Sequence, residues 1–411
     1  MGAQLEAGYE LPIRPRIGDE EGLQSYLARL AAANQCERTS WLGDLLDTDL
    51  SGIVWNVEAA AALASVVRSD PEAFKDKVYK VEPHGVRTRG HMLPREAIAT
   101  HRAGVCPSCL VELGYRPWYW DLTAMAACPD HRVRLVRRCP ACEADVSQLV
   151  WSVTRCVCGL DLSTATAEPA PEQEVNLAGR VRKIIRGEPC DPRGDGSILD
   201  LHAFLELVGV LGRLQLVAEG EKRSSGATLR REDAPAVLAK GLATLDHWPD
   251  NLFGLMDRVR VRAGGGSGLA TSLRPLYWAI RRIRSAVAHD MLTEATVSYL
   301  REHDMAVPMR LAPADETFVD RDEMLRLLGI GRWRFERAVA EGRFWLTRYW
   351  SREGRAVFST QEIEQARQGL LSVMSTSEFR RTVDLFPSQA RELLDTGLFY
   401  SGAGRGAGID R

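Results

Sequence analysis

Apolar residues near the start of the chain recur at helical spacing: Leu23, Tyr26, Leu27, Leu30 and Ala31 fall at i, i+3, i+4, i+7 and i+8. Such a stripe belongs against a core. It predicts a first helix over 20–34, with Asp19, Glu20 and Glu21 at its start, where the helix dipole favours acids. WLGDLL (41–46) and NVEAAAALASVV (56–67) continue the helical pattern, and LHAFLELVGVL (201–211) and PLYWAIRRIRSAV (275–287) mark a second, mainly helical region. A short alternation, Val133 and Leu135 against Arg132 and Arg134, reads as a strand with its arginines outward.

The last third repeats a different pattern. Residues 320–345 read as a helix, a glycine turn at 329–331 and a second helix ending at Gly342. RFWLTRYW, a turn at 352–354 and RAVFS then form a hairpin wing before the helix TQEIEQAR. This order resembles a winged helix-turn-helix of the MerR or excisionase type. Between 331 and 348 stand Arg332, Arg334, Arg337, Arg343 and Arg348 against Glu336 and Glu341. A recognition helix needs such cations for phosphates and base edges. The same unit could instead dock a protein. Residues 375–399 echo the order of 320–344 as a second helix-turn-helix unit without a full wing, and the glycine-rich tail 403–411 is expected to be disordered.

Composition narrows the class. A chain of 411 residues exceeds one ordinary core, and 45% hydrophobic with 26% charged residues is that of a folded protein. The net charge of −2 means that an anionic partner must meet local patches. No run of 18 apolar residues occurs, so no membrane span is expected. The N-terminus has no signal-peptide pattern, and Glu6 stands where a myristoylation motif needs serine. AGGGSG (263–268) lacks the G-K-[ST] of a phosphate loop, which argues against an NTPase.

Cysteine usage changes the picture most. Seven of the nine cysteines lie between 106 and 158, in the doublets Cys106/Cys109, Cys128/His131, Cys139/Cys142 and Cys156/Cys158. Clustered C-x-x-C without a secretory signal points to thiolates held by metal in the cytosol. Zinc takes four such ligands. Successive pairing gives Cys106, Cys109, Cys128 and His131 for one ion, and Cys139, Cys142, Cys156 and Cys158 for a second. Pairing the first doublet with the third satisfies the spacing as well. Pro107, Pro129 and Pro140 remove an N–H from three turns, and Gly159 suits a positive φ after the fourth. Catalytic zinc needs an open position and a base, but eight ligands fill two sites, and no H-x-E precedes a P-C-x-x-C as in deaminases. Both ions are therefore expected to be structural, which leaves a zinc-dependent hydrolase as the weaker reading. Arg134, Arg137 and Arg138 on the joint between the modules could meet phosphate, an acidic protein face or only solvent. Trp118, Tyr119 and Trp120 would form a small core or stack on bases.

CPSCL, YRPWYWDL, CPDH, CPAC and CVCGLDL in this order, after LPIRPR (11–16) and EEGLQSYLARLAAAN (20–34), resemble the TniQ family, which includes the TnsD target selectors of transposons. The resemblance covers roughly the first 165 residues. It implies a non-enzymatic target-selection adaptor for DNA transposition in the bacterial cytoplasm, at the nucleoid. Its implied partners are DNA or a guide-RNA effector complex, an AAA+ regulator and transposase subunits, and a homodimer is compatible with it. A zinc-containing winged-helix transcription regulator is the alternative. The expected architecture is mainly α and multi-domain: a helical domain with helix-turn-helix character (1–100), tandem zinc-ribbon modules (101–162), a linker (163–174), a helical domain (175–312), the winged unit (313–371), the second unit (372–402) and the tail.

Overall fold

A computed structural model describes residues 11–375 except 37–39, 47–51, 101–103, 147–151, 197, 222–232, 265–272, 304, 313–315, 333–334, 337–338, 340–345, 352–354 and 372, together with 408–410. Thirteen α-helices and small sheets make up these residues. The chain divides into two units, Met1–Gly265 with Leu273–Leu292, and Gly266–Ser272 with Thr293–Arg411.

In the first unit, α1 (Leu23–Ala33) buries the predicted stripe. It starts later than the sequence suggests, because Glu21 turns inward instead of facing the helix dipole. The Glu21 carboxylate is fully buried and takes two bonds from Arg29 (2.9 and 2.6 Å) and one from the Gly18 N–H (2.9 Å). A charge leaves water at tolerable cost only with such partners. The segment before it runs along α1, with its carbonyls held at Pro15 by the Tyr26 hydroxyl (2.9 Å) and at Arg16 by Arg29 (2.6 Å). Helices α2 (Ser40–Leu46), α3 (Val57–Val66) and α4 (Pro71–Lys75) follow, the last two capped by the side chains of Asn56 and Asp70.

An antiparallel meander that the sequence analysis missed comes next: β1 (Lys80–Glu82), β2 (Gly85–Thr88) and β3 (His91–Leu93). Three or four residues per strand give too little alternation to read. After α5 (Pro107–Leu113) and the metal-ligand region, α6 (Glu172–Ile185), α7 (Leu201–Glu219), α8 (Ala234–Leu245) and α9 (Asp250–Arg262) form a helical layer. Helix α7 is long and apolar enough to cross a membrane, yet thirteen of its residues are buried within the protein. It meets α8 at Gly212 and Gly241; a Cβ on Gly241 would stand 1.8 Å from the Val208 carbonyl oxygen. Only glycine allows that approach.

The predicted stretch 275–287 is broken. One helix spans Arg274–Ile280 and a new one spans Ala286–Glu302. Between them the N–H groups of Arg284 and Ser285 donate to Glu206 on α7 (3.0 and 2.8 Å), so a distant carboxylate starts the second helix.

The second unit contains a helix at Arg321–Leu328, closed by Gly329 at φ +69°. Its sheet has the order β4 (Val307–Pro308), β6 (Tyr349–Trp350), β7 (Ala356–Ser359) and β5 (Phe318–Val319), followed by a helix at Thr360–Leu371. Met324, Leu328, Leu346, Phe358, Ile363 and Ala366 form its core. The helix–glycine turn stands where the sequence places it; of the expected wing, Tyr349–Trp350 pairs antiparallel with Ala356–Val357, and 343–345 and 352–354 lie outside the described residues. Most of the expected recognition helix, and of the unit expected at 372–402, lies outside the described residues. Gly408–Asp410 pairs antiparallel with Val373–Ser375, and the rest of the expected tail lies outside the described residues.

Candidate metal centres

Cys106 is the N-cap of α5, with Pro107 at the first helical position and Cys109 one turn in. Proline costs nothing there, where its missing N–H would have no helical acceptor. Cys128 and His131 sit on a tight turn closed by Arg132 N–H to Cys128 O (2.9 Å). Cys139/Cys142 occupies a turn of the same kind, closed by Glu143 N–H to Cys139 O, and Cys156/Cys158 a turn one residue shorter, closed by Gly159 N–H to Cys156 O (both 2.9 Å). The sequence alone marks only Gly159 for a left-handed backbone. In fact the residue after the second ligand is left-handed in all three turns: Arg132 at φ 55°, Glu143 at 58° and Gly159 at 91°.

The structure brings successive doublets together, which resolves the pairing that spacing left open. Cys106, Cys109, Cys128 and His131 form one group and Cys139, Cys142, Cys156 and Cys158 another, each with its four donor atoms within 4.8 Å of one another. In the first, His131 Nδ1 lies 3.5, 3.4 and 3.5 Å from the sulfurs of Cys106, Cys109 and Cys128, and Cys109 and Cys128 are 3.5 Å apart. In the second, Cys139–Cys158 and Cys142–Cys156 measure 3.6 and 3.7 Å. A tetrahedron with bonds of about 2.3 Å to sulfur has edges of about 3.8 Å, slightly shorter to nitrogen. The spacing and the soft donor set therefore fit an ion of zinc's kind, and each group could hold one. Hydrogen bonds among the three thiols pull Cys128 below the ordinary thiol value and push Cys109 above it.

The two groups differ in exposure. All three cysteines of the first are buried, whereas Cys142 and Cys158 of the second are exposed. The His131 ring also reaches outward, its Nε2 lying 2.8 Å from Glu112 on α5.

Around the first group, Trp118, Tyr119 and Trp120 are buried as core. Asp121 accepts from the Tyr79 hydroxyl at 2.8 Å. Arg116, which sequence reasoning passed over, is buried at the meeting of three segments. Its N–H donates to Ser25 Oγ on α1 (2.8 Å) and its guanidinium to Val153 O, between the two doublets of the second group (3.2 Å). Burial pulls its pKa down to about 10. A lone arginine inside an aromatic loop carries no sequence signal that separates it from a surface cation.

The 133–138 joint forms isolated bridges instead of one continuous strand, because its residues pair in turn with Pro169, Ala127, Val105 and Asp145. Its partners include the expected linker. Arg134 N–H donates to Glu168 O (2.8 Å) and Ala170 N–H to Arg132 O (2.9 Å), so 163–174 is fastened along its middle. Helix α6 is tied to the same loop by ion pairs of Arg132 with Glu172, Arg134 with Glu174 (3.3 Å) and Arg182 with Asp130 (2.7 Å). Beside this loop a groove of about 600 Å³ is lined by Arg132, Arg180, Arg182, Lys183 and Arg186. All but Arg180 are paired with carboxylates, which cancels most of its field.

Of the candidate DNA-contact residues, Arg134 is paired as above, Arg138 lies 3.7 Å from Asp145, and Arg137 is half-buried. Arg332 is exposed with Glu336 at 2.9 Å, and Arg348 is exposed before β6. These two belong to the second unit and the other three to the first. Arg334, Arg337 and Arg343 lie outside the described residues.

Residues 12–135 match the TniQ family model. The match takes in the whole first ligand group and stops short of the second, a shorter reach than the sequence resemblance suggested. A comparison with curated proteins gives no match.

Proposed function

Since the chain belongs to the TniQ family, whose role is associated with transposition, we propose that it is a target-selection adaptor for DNA transposition. It binds DNA, a target-recognition complex such as a guide-RNA effector, or both, and recruits the transposon's AAA+ regulator and transposase in the bacterial cytoplasm, at the nucleoid. It performs no chemistry of its own. The observation that carries this reading is the family match running through a complete four-donor group at Cys106, Cys109, Cys128 and His131. Each ligand group holds one zinc ion with a structural role. Four protein donors per ion leave no position for substrate.

Direct DNA contact is assigned to the second unit, through Arg332, Arg334, Arg337, Arg343 and Arg348. Arg134, Arg137 and Arg138 in the first unit are the further candidates, with carboxylates facing Arg134 and Arg138 as Glu336 faces Arg332. The test is DNA binding by the zinc-quantified protein across a salt series, with random duplex and the transposon's insertion region as probes. Specific binding, weakened with a flatter salt slope when Arg332, Arg334 and Arg337 are replaced by Ala, is the expected result. Unchanged affinity and slope would move the second unit to protein docking. A zinc-containing winged-helix transcription regulator remains the second reading, favoured by the helix–glycine turn and paired hairpin of the second unit. Failure to retain the AAA+ regulator in a pulldown, together with sequence-specific binding at a promoter, would select it.

A further inference from the structure

His131 turns its two ring nitrogens to different tasks. Nδ1 faces three sulfurs at 3.4–3.5 Å. Nε2 lies 2.8 Å from Glu112 Oε1. A ring nitrogen that ligates a cation carries no proton, so the neutral imidazole must keep its proton on the other nitrogen. That proton needs an acceptor, and a carboxylate is the strongest one a side chain offers.

Glu112 is placed for this by α5. The helix supplies Cys109 to the ligand group from its first turn and Glu112 from its last, three residues on. One seven-residue helix thus fixes a sulfur on one side of the imidazole and the hydrogen-bond acceptor on the other. The carboxylate itself is largely exposed, with 59% of its side chain accessible, and the ring is 23% exposed. Its replacement therefore leaves the buried core untouched.

We propose that Glu112 is a positioning residue for the first metal centre, fixing the Nε2–H tautomer and the orientation of His131. The proposal rests on the reading that this group holds zinc. Carboxylate–histidine pairs of this kind alter metal affinity by about 10–100-fold when removed.

The second group, built from four cysteines with no imidazole, serves as an internal control. The experiment uses the full chain. Zinc is first counted in the wild type, and then competed away with a chromophoric chelator in the wild type, Glu112→Ala and Glu112→Gln. With two ions in the wild type, the expected outcome is a roughly 10–100-fold weaker hold on one ion in Glu112→Ala, a smaller loss in Glu112→Gln, which keeps an acceptor but no charge, and no change in the other ion. The imidazole ¹⁵N shifts supply a second readout: the wild type shows a protonated Nε2 and a ligated Nδ1, and Glu112→Ala shows faster exchange of the Nε2 proton. Two ions released from Glu112→Ala as from the wild type would overturn the role of Glu112 while leaving the zinc reading intact. A wild-type chain that holds no ion at the first group would overturn both.

Discussion

At the scale of single residues, the metal-ligand turns depend on backbone conformation as much as on sulfur. Arg132, Glu143 and Gly159 each follow a second ligand and each is left-handed. A side chain there costs roughly 1–2 kcal/mol, and of the two non-glycine cases only Arg132 also forms a described ion pair, with Glu172. Glu143→Gly is therefore expected to stabilise the second ligand group by about 1 kcal/mol, read as a higher denaturation midpoint with unchanged slope. No change would mean that the Glu143 side chain compensates for its backbone. The ligands themselves were legible because doublet spacing is a local signal. Glu112, Arg116 and the Glu21–Arg29 pair were not, because each acts across segments distant in sequence or on a helix face that looks like surface.

At the scale of elements, the stripes of α1 and α7 and the helix–glycine turn at 321–329 were readable, since periodicity and a left-handed glycine are local. The meander at 80–93 and the break at 281–285 were not. The break depends on Glu206, which lies on another helix. Burial works against the charge of Glu206, yet the His202 ring 3.3 Å away and the donating N–H groups of Ser285 and Arg284 outweigh burial and hold its pKa below the ordinary value. The folded chain therefore binds fewer protons there than the unfolded chain in the carboxylate range. The stability it contributes is complete above the ordinary glutamate value of 4.5 and fades as the pH falls through the lower folded value. Glu206→Gln should cost about 1–2 kcal/mol at neutral pH and flatten this acid limb in denaturation curves. An unaltered limb would show that other carboxylates set it.

At the scale of the whole molecule, the turn that carries Cys128 and His131 also carries Asp130, Arg132 and Arg134, the residues that tie it to α6. Metal binding at the first group and docking of the helical layer therefore share one loop. Cys109→Ser is expected to remove one zinc and to loosen α6, seen as faster amide exchange across 172–185. Cys142→Ser should remove the other ion and leave that exchange unchanged, since the described ion pairs that reach α6 from the metal-ligand region come from the first group's turn. Equal exchange in both variants would separate the metal from the helical layer.

The unequal exposure of the two groups also fixes an order of reactivity. The first group keeps its three sulfurs covered, while the second presents Cys142 and Cys158 to solvent. Alkylating and oxidising reagents reach thiolates in proportion to their accessibility. The second group is thus the chemically vulnerable one: under thiol stress the chain would surrender its all-cysteine module first, with the family-matched N-terminal part still folded around its own ligands.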